Sequence, residues 1–295
     1  MIRIGIVGSD NSHALAFARL VNCDRALGER CRVVGLWGAE PGRTEQVARE
    51  GAIPEVVARP EDMVGQVDLA MVVDRHGDLH AGHALPFLTA GVPTFVDKPF
   101  AIDPADCDRM LVAAQASGAP LASFSALQYA PATDALAADL GRLGTVRAAN
   151  LTGPCDFASE YGGPYFYATH LVEIALRLLG EDLQSVSAHR VGGVVSVRAT
   201  WGGARLVTFA YLTGAAYHFH VSLFGEGGMA AREVLGGDEA YAAALGRAVD
   251  MAETGVRPLT DDQLVLPIAF VRAIERSLRR DGVEVDVRHE GALRS

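Results

Sequence analysis

Over roughly the first 120 residues the chain alternates short apolar, β-branched runs with stretches of helical periodicity, and that alternation leaves few folds open. "IRIGIVG", "RVVGLWG", "DLAMVVD" and "PTFVDKP" read as strands. A helical pattern follows each: Ala14 to Asn22, "GRTEQVARE", "LHAGHALPFLTAG" stopping at Gly91, and "PADCDRMLVAAQASG" stopping at Gly118. Strands so continuously apolar are buried on both faces, the condition of a parallel sheet covered by crossover helices. From Ser123 the texture changes. A helix through "ATDALAADLG" and a strand "TVRAANLT" lead into the irregular "CDFASEYGGPYFYATH". A helix, "HLVEIALRLLG", then precedes "VSAHRVGG", "VVSVRATWGG", "ARLVTFAYLTG" and "AYHFHVSLFGE", alternating runs joined by Gly turns. That is the pattern of antiparallel strands. Helices around Ala240 to Ala252 and from Gln263 to Arg280 close the chain. The expected class is α/β. Residues 1–122 form a doubly wound, dinucleotide-binding-like Rossmann sheet, and residues 123–295 an α+β domain with a mostly antiparallel sheet for substrate and oligomerisation.

Ligands of parallel α/β sheets lie outside the carboxyl ends of the strands. After the first strand, "GIVGSDNSHA" places Gly8, Asp10 and His13 in the frame G-x-G-x-x-G. Gly8 serves the tight turn, but Asp10 stands where the second glycine admits a pyrophosphate, and His13 where the third allows close helix packing. Asp10 or Ser12 is either a helix cap or part of a site with a new task. After the second strand, Gly38 and Ala39 occupy the natural place of a ribose-binding acid, Glu40 follows, and Arg43 could meet a 2′-phosphate. After the third comes "DRHGDLHAGH", with Asp74, His76, His80 and His83. Its H-x-x-x-H-x-x-H spacing is compatible with a metal on one helix face, but the Asp-Gly break is expected to put His76 in the loop and His80 at the helix start. No metal is expected.

The fourth strand ends in "VDKPFA". Of 26 basic residues only Lys98 is lysine. Arginine stays protonated, whereas lysine is compact and can give up a proton. A lone lysine at a strand end marks a place where that difference matters.

Net charge is −10 with no basic block, which argues against nucleic acid or an anionic membrane as partner. No apolar run nears the ~18 residues of a membrane span, and the chain enters a strand pattern without a basic leader, so cytoplasmic residence is expected. Cys23, Cys31, Cys107 and Cys155 lie far apart without C-x-x-C and are expected to be reduced.

The order of "GIVG", "DLH" and "VDKPFA", followed by "YATHLVEIALRLLG", resembles the glucose–fructose oxidoreductase / inositol dehydrogenase / rhizopine catabolism (Gfo/Idh/MocA) family over essentially the whole chain. The resemblance implies NAD or NADP as cofactor and oxidation or reduction of hydroxyls on sugar- or polyol-like molecules. It implies that Asp97, Lys98 and Pro99 match the family's E-K-P, with Lys98 near nicotinamide and substrate, and that His170 is the general acid/base. Asp97, Lys98 and His170 are thus the expected catalytic residues. Gly8, Ser9, Asp10, Asn11, His13, Asp74, His80 and Lys98 are the expected cofactor-binding set. Phe166 stands where the family has an Asp, and Ala168 where glycine is common; the D-x-S-H loop looks like a divergent branch. His170 is read at the start of its helix, with Glu173 one turn on. The alternative is a Rossmann scaffold that has lost the dinucleotide, acting as a metal-assisted or acid/base lyase or isomerase, or as a non-catalytic sugar-binding module. A homodimer or homotetramer is expected through an apolar sheet face such as Val207, Phe209 and Tyr211.

Overall fold

Six parallel strands organise the first part of the chain in the order β3-β2-β1-β4-β5-β6. The computed structural model describes residues 1–288. The strands are β1 (Ile2–Val7), β2 (Cys31–Trp37), β3 (Glu55–Val56), β4 (Leu69–Val72), β5 (Thr94–Val96) and β6 (Leu121–Ser123). Between them run helices α1 (Ser12–Asn22), α2 (Pro41–Glu50), α3 (His80–Thr89) and α4 (Pro104–Ser117). The central strands are wholly buried: Ile4, Ile6, Val7, Leu69, Ala70 and Val72 are all 0% exposed. This is the doubly wound order, and its switch point lies between β1 and β4. The short strands β3 and β6 have no clear sequence signature of their own and are completed by parallel pairing to β2 and β5.

The chain divides into two compact units. One is Met1–Phe124 with Gly237–Asp261; the other is Ser125–Gly236 with the chain from Asp262 onward. The single boundary at 122/123 suggested by texture therefore lies two residues later, and the second segment is interrupted. Gly237–Asp261 returns to the first unit because α7 (Asp238–Thr254) packs on α1, with Tyr241 against Phe17 at 5.6 Å.

The second unit holds α5 (Pro131–Leu143), β7 (Val146–Pro154), α6 (Tyr165–Leu179), β8 (Leu183–Val191), β9 (Val194–Trp201), β10 (Arg205–Leu212), β11 (Phe219–Gly225), β12 (Gly228–Val234), α8 (Asp261–Leu278) and β13 (Val285–Asp286). Its sheet runs β12-β11-β7-β10-β9-β8-β13, antiparallel except for the β7–β10 pair. Period-two alternation sends Val207, Phe209 and Tyr211 inward, where they are at most 1% exposed and Phe209 meets Phe270 of α8 at 4.9 Å. They are core, not an oligomer face. The outward row opposite is Leu206, Ala148, Phe224 and Met229, in register across β10, β7, β11 and β12. Leu206, Phe224 and Met229 are exposed large hydrophobics. Among the described residues no helix is long and apolar enough to cross a membrane.

Candidate functional site

The first unit gathers most of the expected residues at the carboxyl ends of β1, β4 and β5. Gly8 takes φ +98°, and a Cβ there would lie 2.6 Å from the Asp74 nitrogen, so only glycine makes this turn. The cap of α1 is neither Asp10 nor Ser12 but Asn11, whose Oδ1 accepts from the His13 amide at 3.1 Å. Asp10 is exposed, and both its oxygens accept from the Arg75 amide, at 3.3 and 3.4 Å. The carboxylate is thereby turned toward the loop after β4, across the switch point.

His13 reaches past the loop to β5. Its Nδ1 lies 2.6 Å from Asp97 Oδ2, and Asn11 Nδ2 donates to the same oxygen at 3.2 Å. Asp97 is 2% and Lys98 4% exposed. Burial pushes the Asp97 carboxyl up, but the charge and hydrogen bond of His13, with the charges of Lys98 and His80, outweigh it and hold the group at about 2. An ionised carboxylate therefore adjoins the one lysine of the chain.

The three histidines of the β4–α3 region are each held by their own hydrogen bonds, His80 and His83 to different atoms of Asp74. His80 is fully buried, with Nδ1 2.7 Å from the Pro99 carbonyl and Nε2 2.9 Å from the Asp74 carbonyl. His83 Nδ1 is 2.8 Å from Asp74 Oδ2, and its ring meets Trp37 edge-on at 4.8 Å. Burial lowers the proton affinity of His83, but the Asp74 hydrogen bond and charge raise it further, for a net upward shift. His76 accepts from the Asp78 amide in the turn before α3. Among the described residues, no three His, Cys, Asp or Glu side chains group as metal ligands.

The end of β2 has been closed to a ribose-binding acid. A Cβ on Gly38 would lie 2.1 Å from Ser9 Oγ and 2.4 Å from Thr44 Oγ1, a buried pair bonded at 2.9 Å. Glu40 caps α2 by accepting from the Arg43 amide at 2.7 Å. Arg43 Nε donates to the Ser9 carbonyl at 3.1 Å, setting a cation against the glycine turn. Thr44 carried no motif, and its pairing with Ser9, 35 positions away, had no local sequence signal.

In the second unit His170 does not open its helix, as the sequence pattern suggests. α6 begins at Tyr165, one residue after Pro164, and His170 stands in its second turn, 4% exposed. Its Nδ1 is 2.6 Å from Ser125 Oγ, which also accepts from the Leu127 amide at 3.1 Å. Glu173 Oε2 accepts from the Ser125 amide and from Gln128 Nε2 at 2.8 Å. Glu173 thus fixes the segment that presents Ser125, and Ser125 meets the imidazole. Phe219 and Tyr167 flank His170 at 5.3 and 5.7 Å. Phe166, where the resemblance implied an Asp, packs on Tyr161 and Tyr167. Ser125 was missed because it lies 45 positions from His170 in an unremarked turn. All four cysteines are free thiols, with Cys31, Cys107 and Cys155 buried.

A dinucleotide fits the first unit with two adjustments. The Gly8 turn and an α1 N-terminus without acid in its first turn suit a pyrophosphate. Asp10 is directed at the Arg75 amide rather than left against that site, and the ribose acid is absent.

Residues 2–124 match the family model described as "Oxidoreductase family, NAD-binding Rossmann fold" (Gfo/Idh/MocA). The inositol 2-dehydrogenase of Gluconacetobacter diazotrophicus is 32% identical over 117 residues, 39% of this chain and 34% of that protein. The 1,5-anhydro-D-fructose reductase of Ensifer adhaerens is 30% identical over 154 residues, 51% of this chain and 45% of that protein. The matches thus span less than half the length of these curated relatives. The crystal structure of a Lactobacillus casei scyllo-inositol dehydrogenase with bound NAD(H) and scyllo-inositol superposes with TM-score 0.84 at 14% identity, covering 97% of this chain and 99% of that one. The likeness to this oxidoreductase family is carried by residues 2–124, the stretch that matches its NAD-binding Rossmann fold.

Proposed function

We propose that this protein is an NAD(P)-dependent oxidoreductase that interconverts a hydroxyl and a carbonyl on a sugar- or polyol-like molecule. The observation that carries the reading is Lys98: the one lysine of the chain, buried beside an ionised Asp97 at a strand end of an NAD-binding family domain. Similarity to proteins named for inositol and anhydrofructose chemistry supports the substrate class. The match to an NAD-binding family model and the hydrogen bonds that already engage His76, His80 and His83 disfavour a metal-assisted scaffold without dinucleotide.

Bound NAD(P) supplies the hydride acceptor or donor. His170 moves the proton of the reacting hydroxyl through Nε2. The Ser125 hydroxyl accepts from Nδ1–H in both states: when Nε2 of the neutral ring is the base and when Nε2–H of the imidazolium is the acid. Lys98, in the first unit, supplies an ammonium that can stabilise negative charge as it develops in the reaction. Gly8, Ser9, Asn11 and Arg43 shape the phosphate end of the cofactor site. With Gly38 in the acid's place and Arg43 beside the turn, NADPH binds at least as tightly as NADH. The outward row of Leu206, Ala148, Phe224 and Met229 pairs with a second copy of the chain.

The test is fluorescence titration with NADH and NADPH, followed by NAD⁺ or NADP⁺ reduction on a panel of inositols, sugars and anhydro-sugars. Binding of either cofactor and turnover of at least one panel member are expected. Failure of both cofactors to bind at millimolar concentration overturns the reading.

A further inference from the structure

Aromatic rings of the second unit run continuously outward from His170. Tyr167 and Phe219 flank the imidazole at 5.7 and 5.3 Å, and Tyr217 closes the circuit, 5.9 Å from Tyr167 and 5.0 Å from Phe219. Phe166 meets Tyr167 at 4.9 Å and carries the row on to Tyr161 at 5.3 Å. Local sequence places each ring. Phe166 and Tyr167 stand four and three residues before His170 on α6, one helical turn away. Gly162 and Gly163, at φ +92° and +61°, turn the chain between Tyr161 and that helix. Tyr217 precedes Phe219, the first residue of β11, by two positions. Burial divides the rings. Phe219 is fully buried, as Tyr211 of the core is, whereas Tyr161, Phe166 and Tyr167 are half-buried and Tyr217 is 44% exposed. Rings that only filled a core would all be covered.

We propose that Tyr161, Phe166, Tyr167 and Tyr217 form a specificity subsite that takes an apolar, planar substituent carried by the sugar or polyol, such as an aryl aglycone. The proposal rests on the reading that His170 faces the reacting hydroxyl, but it is tested by binding, without turnover. Phe166 decides the chemistry. A carboxylate in its place would accept hydrogen bonds from sugar hydroxyls. A phenyl ring cannot, and a hydroxyl buried against it gives up its water without replacement. A C–H or aromatic face loses nothing by the same contact and gains the area removed from water. The preference is thus the reverse of that of a site built to hydrogen-bond every substrate hydroxyl. Several rings in edge-on and tilted contact make an apolar surface larger than one side chain, on which a planar group can stack. The tyrosine hydroxyls add the few polar tips that such ligand sites combine with aromatic walls.

The test is calorimetric titration of the full-length protein, with and without NADPH, using methyl and phenyl glycosides of glucose, galactose and mannose matched in anomeric configuration. The phenyl glycoside of at least one sugar should bind at least about tenfold tighter than its methyl partner. Tyr217→Ala removes the most exposed ring with the least disturbance of the fold and should cut that preference roughly three- to tenfold. Phe166→Asp should abolish or reverse it; if that variant fails to fold, Tyr217→Ala alone decides. Equal binding of the matched pairs, or no phenyl glycoside bound at about 10 mM, overturns the proposal. A phenyl preference that survives every variant that folds places the aryl group elsewhere and overturns it equally. Loss of the preference in either variant supports it. Cofactor binding is read separately on the same preparation. A phenyl preference without NADH or NADPH binding would keep the subsite and remove the oxidoreductase, and cofactor binding without the preference would do the reverse.

Discussion

Asp10 and Arg75 are joined across the switch point of the parallel sheet: both carboxylate oxygens of Asp10 accept from the Arg75 backbone amide, at 3.3 and 3.4 Å. The contact ties the loop after β1 to the loop after β4 with a charged group in a place that usually holds glycine. Although directed at that amide, the carboxylate still precedes the N-terminus of α1, near where the phosphates of the proposed cofactor would lie. Asp10→Gly removes that charge, and NADH or NADPH should bind tighter by roughly 1–2 kcal/mol, about five- to thirtyfold. Fluorescence titration of the variant decides it. Unchanged affinity would show that the Arg75 amide already neutralises Asp10.

Lys98→Met removes the amine and keeps an unbranched apolar side chain of similar length. Turnover should fall at least ~100-fold while cofactor affinity stays within about threefold. Steady-state kinetics and titration on one preparation separate the two quantities. Loss of cofactor binding together with turnover would instead make Lys98 a cofactor anchor.

Ser125→Ala frees His170 from its Nδ1 partner and strips the Leu127 amide of an acceptor. A cost of about 1–3 kcal/mol in folding stability is expected from the two lost buried hydrogen bonds. If Ser125 also steadies the proton on His170, kcat should drop about tenfold with KM nearly unchanged, and the pH profile should shift. A purely structural hydroxyl would lower the melting temperature and leave the pH profile in place.

Stability should depend on pH at both ends of the range, with opposite signs. Asp97 titrates at about 2 in the fold, below the ordinary carboxylate value of about 3.9. Its contribution, on the order of 2 kcal/mol, is therefore present above that ordinary value and lost as pH falls from about 4 toward 2. His83 is shifted upward, so its smaller contribution is complete below its unfolded value of about 6.5 and fades as pH rises through its folded value. Denaturant midpoints measured across pH for wild type, Asp97→Asn and His83→Gln test both. Asp97→Asn should flatten the acid limb, and His83→Gln the limb near neutrality.

Phe224 stands in the outward apolar row with Leu206, Ala148 and Met229. Phe224→Lys should shift an oligomer toward monomer at micromolar concentration, as read by light scattering, because a charge cannot be buried unpaired in such an interface. A wild type that is already monomeric would remove this row from self-association.

What the sequence alone determined is what local periodicity and residue type encode. Period two and period 3.6 marked the main strands and helices, because burial acts residue by residue along each element. Gly8 was legible because only glycine takes φ +98° there, and Lys98 because it is the one lysine. The tertiary structure decided the rest. Asp97 meets His13 across 84 positions, and His170 meets Ser125 across 45. Such pairings arise when separate elements dock, and no local pattern records them. The same holds for α7, whose amphipathic face fits a helix anywhere in the chain but packs on α1, more than 200 positions upstream. Alternation in β10 showed that one face is apolar; only the docking of α8 against Phe209 showed that this face is the inside.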